Sequence, residues 1–305
     1  MQPLKILLLG KDGQLGQEFL NLLAPWNPVA WGRKEVEAGD EKKLLAAILA
    51  AKPEVIVNAA AYTQVEEAEK NIDAAMAANA RLPQTLARAA SEIGAFLVHF
   101  STDYVFDGEK GLPYTEDDTP CPACVYGQSK LLGEEAIREA KAPHWILRTS
   151  WLYASRGRNF LLQALSKARA PWQVVADQWG TPNWARTTAL TVLRMLEKKT
   201  GEGKEALFDS SGTYHLSDRG CTSWYGFARA IIECAKDILG EELFSPSPVL
   251  SEEYPQGVRR PRFSALDAHF LEKTFGVDLP AWHEDLVSCL ESMSKTSAPG
   301  LARAL

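Results

Sequence analysis

Apolar runs and amphipathic stretches alternate along the first half of the chain. Residues 4–10 (LKILLLG) are almost wholly apolar and end in glycine, as a strand buried on both faces would. Residues 14–24 (QLGQEFLNLLA) repeat their apolar positions with helical spacing, and VAW at 29–31 reads as a short second strand. A helix is expected over 40–51 (DEKKLLAAILAA), from an acidic cap at Asp40 to a stop before Pro53. Residues 54–61 (EVIVNAAA) form a buried strand running into small side chains. Residues 72–94 are a long helical stretch, bent or broken at Pro83 and stopped by Gly94. Residues 95–102 (AFLVHFST) predict a strand, 125–140 (VYGQSKLLGEEAIREA) a helix and 144–153 (HWILRTSWLY) another strand.

Strands separated by helices of this length are βαβ units, and their right-handed crossovers give a parallel sheet with helices on both faces. The expected fold is α/β: a Rossmann-type doubly wound parallel sheet over residues 1–150. The second half is less regular. Helices are expected at 159–168, 186–199, 224–239 and 282–293, and the Pro- and Arg-rich SEEYPQGVRRPRFSALD at 251–267 lies among irregular segments. Residues 151–297 are assigned to a smaller, mixed C-terminal substrate domain. Helix 186–199 is expected to pack back on the first domain, and 298–305 to form a loose tail. Ligands of such sheets bind beyond the carboxyl ends of the strands, which directs attention to the loops after Leu9, Val57, Phe100 and Leu147.

Composition narrows the classes. Of 305 residues, 46% are hydrophobic and 24% charged, the profile of a soluble chain able to build a full core. The net charge of −6, with no basic stripe, argues against nucleic acid as a partner and leaves small anionic ligands open. ILLL is too short for a secretion signal or a membrane span, so no membrane partner and a cytoplasmic location are expected. The five cysteines are scattered and odd in number, unlike a disulfide framework.

Two stretches carry candidate chemistry. ILLLGKDGQLGQEF sets Gly10, Gly13 and Gly16 between a strand and a helix. Gly10 would permit a tight turn, Gly13 would admit a pyrophosphate to the backbone, and Gly16 would let helix and strand pack closely. A glycine turn without a ligand is the bland alternative. Arg33 and Lys34 stand where the second strand ends, at the place of an adenosine ribose. An arginine there suits the 2′-phosphate of NADP, so NADPH is favoured over NADH, against the alternative of a solvated surface pair.

The second stretch, CPACVYGQSK at 121–130, offers a C-x-x-C and a Tyr-x-x-x-Lys. Tyr126 and Lys130 share one helical face, where a nearby ammonium would lower the phenol's pKa and could also hold a ribose. Upstream, FSTDYVFDG ends a strand at Ser101 and Thr102, placing a hydroxyl where it can orient a carbonyl for protonation by Tyr126. Cys121 and Cys124 have no histidine at metal-ligand spacing, and Pro120 and Pro122 make their segment an extended loop. They are read as bystanders, and no metal site is expected.

With these motifs in order, the chain resembles the extended short-chain dehydrogenase/reductase family, in its branch acting on nucleotide sugars. GKDGQLG, VNAAAYTQVEEAE, FSTDYVFDG, PYTEDD, VYGQSKLLGE, LRTSWLYA, DQWGTP and RRPRFSALD carry the likeness from Gly10 to Asp267. The resemblance implies reduction of a 4-keto-6-deoxy sugar carried on dTDP, with Thr102, Tyr126 and Lys130 as the catalytic set. It implies cofactor contacts from Gly13, Gln14, Leu15, Asp40, Ala61, Tyr62 and Thr63, and a sugar site lined by Thr102, Asp103 and Trp151. Trp151 follows a strand's carboxyl end, where an indole could stack on a hexose or serve as a core or lid aromatic. Arg260, with Arg259 and Arg262, could hold the nucleotide diphosphate. Some members form a homodimer around magnesium held by acids. Glu18 matches one such position but Arg186 stands at another, so a magnesium-bridged dimer is not expected, and a homodimer without the metal stays open. Another nucleotide-ketosugar reductase, or a non-catalytic NADP-binding subunit of the same fold, remains the alternative. A dehydratase is disfavoured because Tyr104 stands where an elimination base is expected.

Overall fold

The apolar runs become strands because both faces of the sheet are covered. In the computed structural model, which describes residues 4–35, 40–239, 243–254 and 257–296, β1 (Ile6–Leu9), β3 (Val55–Asn58) and β4 (Phe96–Thr102) are buried at every position. The tail expected over 298–305 lies outside the described residues. With β2 (Val29–Trp31), β5 (His144–Thr149) and β10 (Gly212–His215), these strands form one parallel sheet of order β10-β5-β4-β3-β1-β2. The chain moves outward from β1 to β2, then returns to β3 on β1's other side. That reversal opens the crevice between the carboxyl ends of β1 and β3. The fold is thus the expected doubly wound α/β sheet.

Alternate residues of each strand feed two cores. On one face, Leu8, Val57, Val98 and Leu147 meet Phe19 of α1 (Gln14–Leu22) and Ala189, Val192 and Leu196 of α8 (Ala185–Glu202). On the other, Leu7, Ile56, Leu97 and Ile146 meet Leu44 and Ile48 of α2 (Glu41–Ala51) and Leu86 and Ala90 of α5 (Leu82–Ile93). Asp40 caps α2, accepting from Lys43 N at 3.1 Å.

The sheet does not stop at residue 150. Its sixth strand, β10, comes from the second half and pairs with β5, Tyr214 opposite Leu147. GTYH is short and only half buried, so no apolar run announces it. The remaining second half has its own core, built by α7 (Phe160–Lys167), α10 (Trp224–Leu239) and α12 (Trp282–Thr296) through residues such as Leu165, Ile231 and Leu290. Three short ladders complete it: β6 (Leu152–Tyr153) with β9 (Asn183–Trp184), β7 (Gln173–Val175) with β12 (Ser247–Val249), and β8 (Trp179–Gly180) with β11 (Thr222–Ser223). Among the described residues no helix is long and apolar enough to cross a membrane.

Two local expectations change. The helical stretch 72–94 is not broken at Pro83, which is the second residue of α5. The irregularity lies just before, in a π-helical segment at Ala77–Arg81 that follows α4 (Ile72–Met76). The strand expected over 144–153 is interrupted at Trp151, whose φ is +43°.

Candidate active site

The turn after β1 closes against the loop after β3. Gly10 has φ +82°, and a Cβ on it would stand 2.6 Å from Ala60 N. A Cβ on Gly16, in the first turn of α1, would stand 2.0 Å from Gly10 O. Gly13 caps α1 in an extended conformation without a side-chain hydrogen bond, and the first turn carries no acid. A Cβ on Gly13 would meet only Gly10 O, at 3.4 Å, so that side of the turn is open. The first-turn N–H groups from Gln14, Leu15 and Gly16, with the helix's positive end left unneutralised, fit the pyrophosphate of a dinucleotide. Gln14 also ties this turn to the second half: its Oε1 accepts from Asn159 Nδ2 at 2.7 Å, and Asn159 caps α7.

At the end of β2, Arg33 and Lys34 are exposed, and Arg33 pairs with no described residue. Glu35, nearby, is engaged: it accepts from Gly32 N at 2.8 Å and pairs with Lys11. Ala61, Tyr62 and Thr63 line the loop after β3. That loop is pinned by Asn79, fully buried in the π-helical segment, whose Oδ1 accepts from Tyr62 N at 2.8 Å and whose Nδ2 donates to Tyr62 O at 3.0 Å. Asp40 remains occupied with Lys43, with which it forms an ion pair at 2.8 Å.

The catalytic candidates meet at the carboxyl end of β4. Thr102 ends that strand, and Tyr126 and Lys130 lie one turn apart on α6 (Val125–Glu139). The Thr102 hydroxyl donates to Asp103 Oδ1 at 3.0 Å and accepts from Tyr104 N at 3.2 Å, and it lies beside the Tyr126 phenol. Burial pushes Tyr126 above its ordinary value, against a downward pull from Thr102. Burial also raises Asp103 to about 6, against hydrogen bonds from Ser264 and Thr102. Lys130 is drawn down to about 8 by burial, with Glu134 opposing. Its amino group donates to Phe100 O at 2.6 Å and lies 3.3 Å from His99 Nε2. The lysine's hydrogen-bond partners lie on β4, and burial, which disfavours phenolate, dominates the tyrosine.

Helix α6 owes its placement to residues the sequence pattern did not single out. Glu69, on α3 (Val65–Lys70), accepts from Val125 N at 2.8 Å, and Cys124 Sγ accepts from Gly127 N at 3.5 Å. Cys124 is thus a cap, and burial raises its thiol, so it stays protonated at neutral pH. Gly133 lets α6 approach the π-helical segment, where a Cβ would stand 2.1 Å from Asn79 O. Asn79 also donates to Ser129 Oγ at 3.0 Å. The signal for Asn79 was present, a lone polar residue in an alanine-rich helix, but helical periodicity gave it no partner.

The substrate candidates are spread around this centre. Trp151 stacks on Trp224 at 3.5 Å between ring centroids and 7° between planes, and a Cβ on Gly180 would stand 2.6 Å from its indole. One face of the Trp151 indole is therefore covered by Trp224. Arg259, Arg260 and Arg262 line a cavity of about 530 Å³ with Gln178, Ser251 and Glu252. Each of the three arginines holds a glutamate: Arg259 with Glu109, Arg260 with Glu66 and Arg262 with Glu252. Among the described residues no group of three or more His, Cys, Asp or Glu is placed to hold a metal. Glu18 accepts from Arg156 at 2.6 Å.

A switch-point glycine turn facing a tyrosine and lysine on the helix before β5 is the build of the extended short-chain dehydrogenases/reductases. The sequence profile of the RmlD substrate binding domain matches residues 4–295. The dTDP-4-dehydrorhamnose reductase of Burkholderia thailandensis is 40% identical over 296 residues, which span 95% of this chain and 99% of that protein. The structure of a dTDP-4-dehydrorhamnose reductase from Clostridium acetobutylicum superposes with a TM-score of 0.86 at 34% identity, over 95% of this chain and 99% of that one. So does that of the Bacillus anthracis reductase in complex with NADP, with a TM-score of 0.86 at 30% identity and the same coverage. The chain belongs to the RmlD family of dTDP-4-dehydrorhamnose reductases.

Proposed function

We propose that this protein reduces the 4-keto group of dTDP-4-dehydro-6-deoxy-L-mannose to dTDP-L-rhamnose, using NADPH. The observation that carries the reading is the meeting of the Thr102 and Tyr126 hydroxyls at the switch-point edge, with the Lys130 amine on the same helical face. NADPH, when bound, supplies the hydride. Gly10, Gly13, Gln14, Leu15 and Gly16 hold its pyrophosphate, Arg33 its 2′-phosphate, and Ala61, Tyr62 and Thr63 the side of the crevice leading to the reacting centre. Asp40 serves the cofactor side through its capping of α2.

Tyr126 keeps its proton in the buried site and delivers it to the substrate oxygen as the carbonyl becomes an alcohol. Thr102 orients that oxygen, and its own hydroxyl is oriented by Asp103 and Tyr104 N. Lys130 holds the ribose and restores the Tyr126 proton. Asp103 and Trp151 line the sugar, Trp151 as a wall stiffened by Trp224. Arg260 exchanges Glu66 for the diphosphate, a stronger partner for a guanidinium. The test is NADPH oxidation by the purified chain with dTDP-4-dehydro-6-deoxy-L-mannose, with the sugar product read by NMR. Turnover to dTDP-L-rhamnose is expected. NADPH binding without turnover would mark a non-catalytic subunit, and turnover only with another nucleotide ketosugar would reassign the substrate.

A further inference from the structure

We infer that His99 and Asn58 form a buried pair that controls the charge on Lys130: Asn58 holds His99 in the tautomer whose Nε2–H faces the lysine amine. This rests on the proposed role of Lys130. His99 is a positioning residue, acting through the lysine.

His99 is fully buried on β4 between two polar groups. Its Nδ1 lies 2.9 Å from Asn58 Nδ2, and its Nε2 lies 3.3 Å from Lys130 Nζ. Asn58, at the end of β3, has its orientation set by a third group, because its Oδ1 accepts from Ala60 N at 3.2 Å. Turning the amide over would set its NH2 against the Ala60 N–H, donor to donor. The NH2 therefore donates to His99 Nδ1. A neutral imidazole has one N–H, so with Nδ1 accepting, the proton sits on Nε2.

That proton faces Lys130. An ammonium has only donors to offer, whereas a neutral amine has a lone pair to receive Nε2–H. Lys130 already donates to Phe100 O. The four-group chain Ala60–Asn58–His99–Lys130 is thus complete with an uncharged lysine, and charging the lysine opposes two donors. Burial acts in the same direction, holding Lys130 near 8 and His99 well below the ordinary histidine value.

The surrounding charges do not reverse this. On α6, Glu134 favours the ammonium, but its carboxylate is taken by Arg148 of β5 at 2.8 and 2.9 Å. His144 of β5 lowers His99 further. Tyr126, one turn before Lys130, is held protonated by burial, and Asn58 of β3 carries no charge. Lys130 can therefore lose and regain a proton near neutral pH, as a group that resupplies Tyr126 must.

The primary test is the tautomer of His99 by nitrogen NMR of the histidine-labelled protein. A neutral ring protonated at Nε2 is expected around neutral pH; an imidazolium or an Nδ1–H ring would overturn the inference. The second test is Asn58→Asp, which offers acceptors to both Ala60 N and His99 Nδ1. It should draw the proton to Nδ1, make Nε2 an acceptor for the ammonium, and move the alkaline limb of kcat up by about one pH unit or more. An unmoved limb in a variant that still binds NADPH counts against the inference. Should Asn58→Asp fail to fold, the wild-type tautomer decides alone. Lys130→Met separates the two layers. Undiminished turnover would remove the proposed role of Lys130 whatever the tautomer, whereas loss of turnover with an Nδ1–H ring would overturn the His99 inference alone.

Discussion

A phenol that must hold its proton until a hydride arrives is helped by burial, and Tyr126 sits where burial raises its pKa. Tyr126→Phe keeps the ring packing against Tyr104, 5.5 Å away between centroids, and removes only the proton. Turnover should fall by at least about tenfold, and by as much as the roughly 10²–10⁴ that positioned acids contribute. NADPH affinity, measured by quenching of protein fluorescence, should stay nearly unchanged. Near-wild-type turnover would remove Tyr126 as the acid. The other single-residue prediction concerns Arg33. Glu35, an acid close to the ribose position, is already bound to Lys11 and Gly32 N, while Arg33 pairs with no described residue. A guanidinium there gains a phosphate partner from NADPH and nothing from NADH, so kcat/KM should favour NADPH by about tenfold. Arg33→Ala should erase most of that preference and leave NADH use almost untouched. Equal loss with both cofactors would show Arg33 to be a general structural support.

At the scale of elements, α6 carries Tyr126 and Lys130 one turn apart, as their spacing predicts, but what holds the helix in place was not legible in the sequence. Tyr126 and Lys130 were legible because their spacing is local, one helical turn. What holds the helix in register is not local: Glu69 reaches Val125 N across 56 positions and Asn79 reaches Ser129 across 50. Neither link leaves a trace in periodicity, nor does the π-helical segment that aims Asn79 inward. The cysteines were read as bystanders, yet Cys124 caps this helix. Glu69→Ala should remove the stronger cap and destabilise the protein by about 1–2 kcal/mol in urea titrations, lowering turnover as the start of α6 frays. By contrast, a hydroxyl replaces the sulfur well as a cap. The Cys121→Ser/Cys124→Ser protein should keep its stability and activity and carry no stoichiometric zinc. One zinc per chain, lost in the double variant, would make the pair a metal site after all.

At the scale of the whole molecule, the two halves are interleaved, and the sequence disclosed only part of this. The alternation of strand and helix predicted the sheet, and the expected packing of helix 186–199 on it appears as α8, but β10 also reaches it from beyond residue 150, after a long excursion. Just past β10 lies Asp218, whose buried carboxyl faces that of Asp285 in the first turn of α12. Both are almost wholly buried, and Asp218 N donates to Asn183 Oδ1 at 2.7 Å, so the loop cannot easily move the carboxyl to water. Burial raises both carboxyls, and the neighbouring Asp285 charge raises Asp218 further, which favours one shared proton over two buried charges. A folded-state pKa above the unfolded value means that folding binds a proton here. The stabilising contribution is full below the ordinary aspartate range, declines as pH rises, and is lost once pH passes the raised folded value. Asp218→Asn replaces the shared proton with a permanent amide donor to Asp285. Relative to wild type it should be close to neutral at about pH 4 and stabilising by about 1–3 kcal/mol at about pH 8.5, where the ionised pair would otherwise be buried. Urea midpoints for both proteins across this range measure the difference directly. A variant equally or more destabilised at the alkaline end would show that Asp218 is held as an ordinary carboxylate and that the docking of α12 owes nothing to a shared proton.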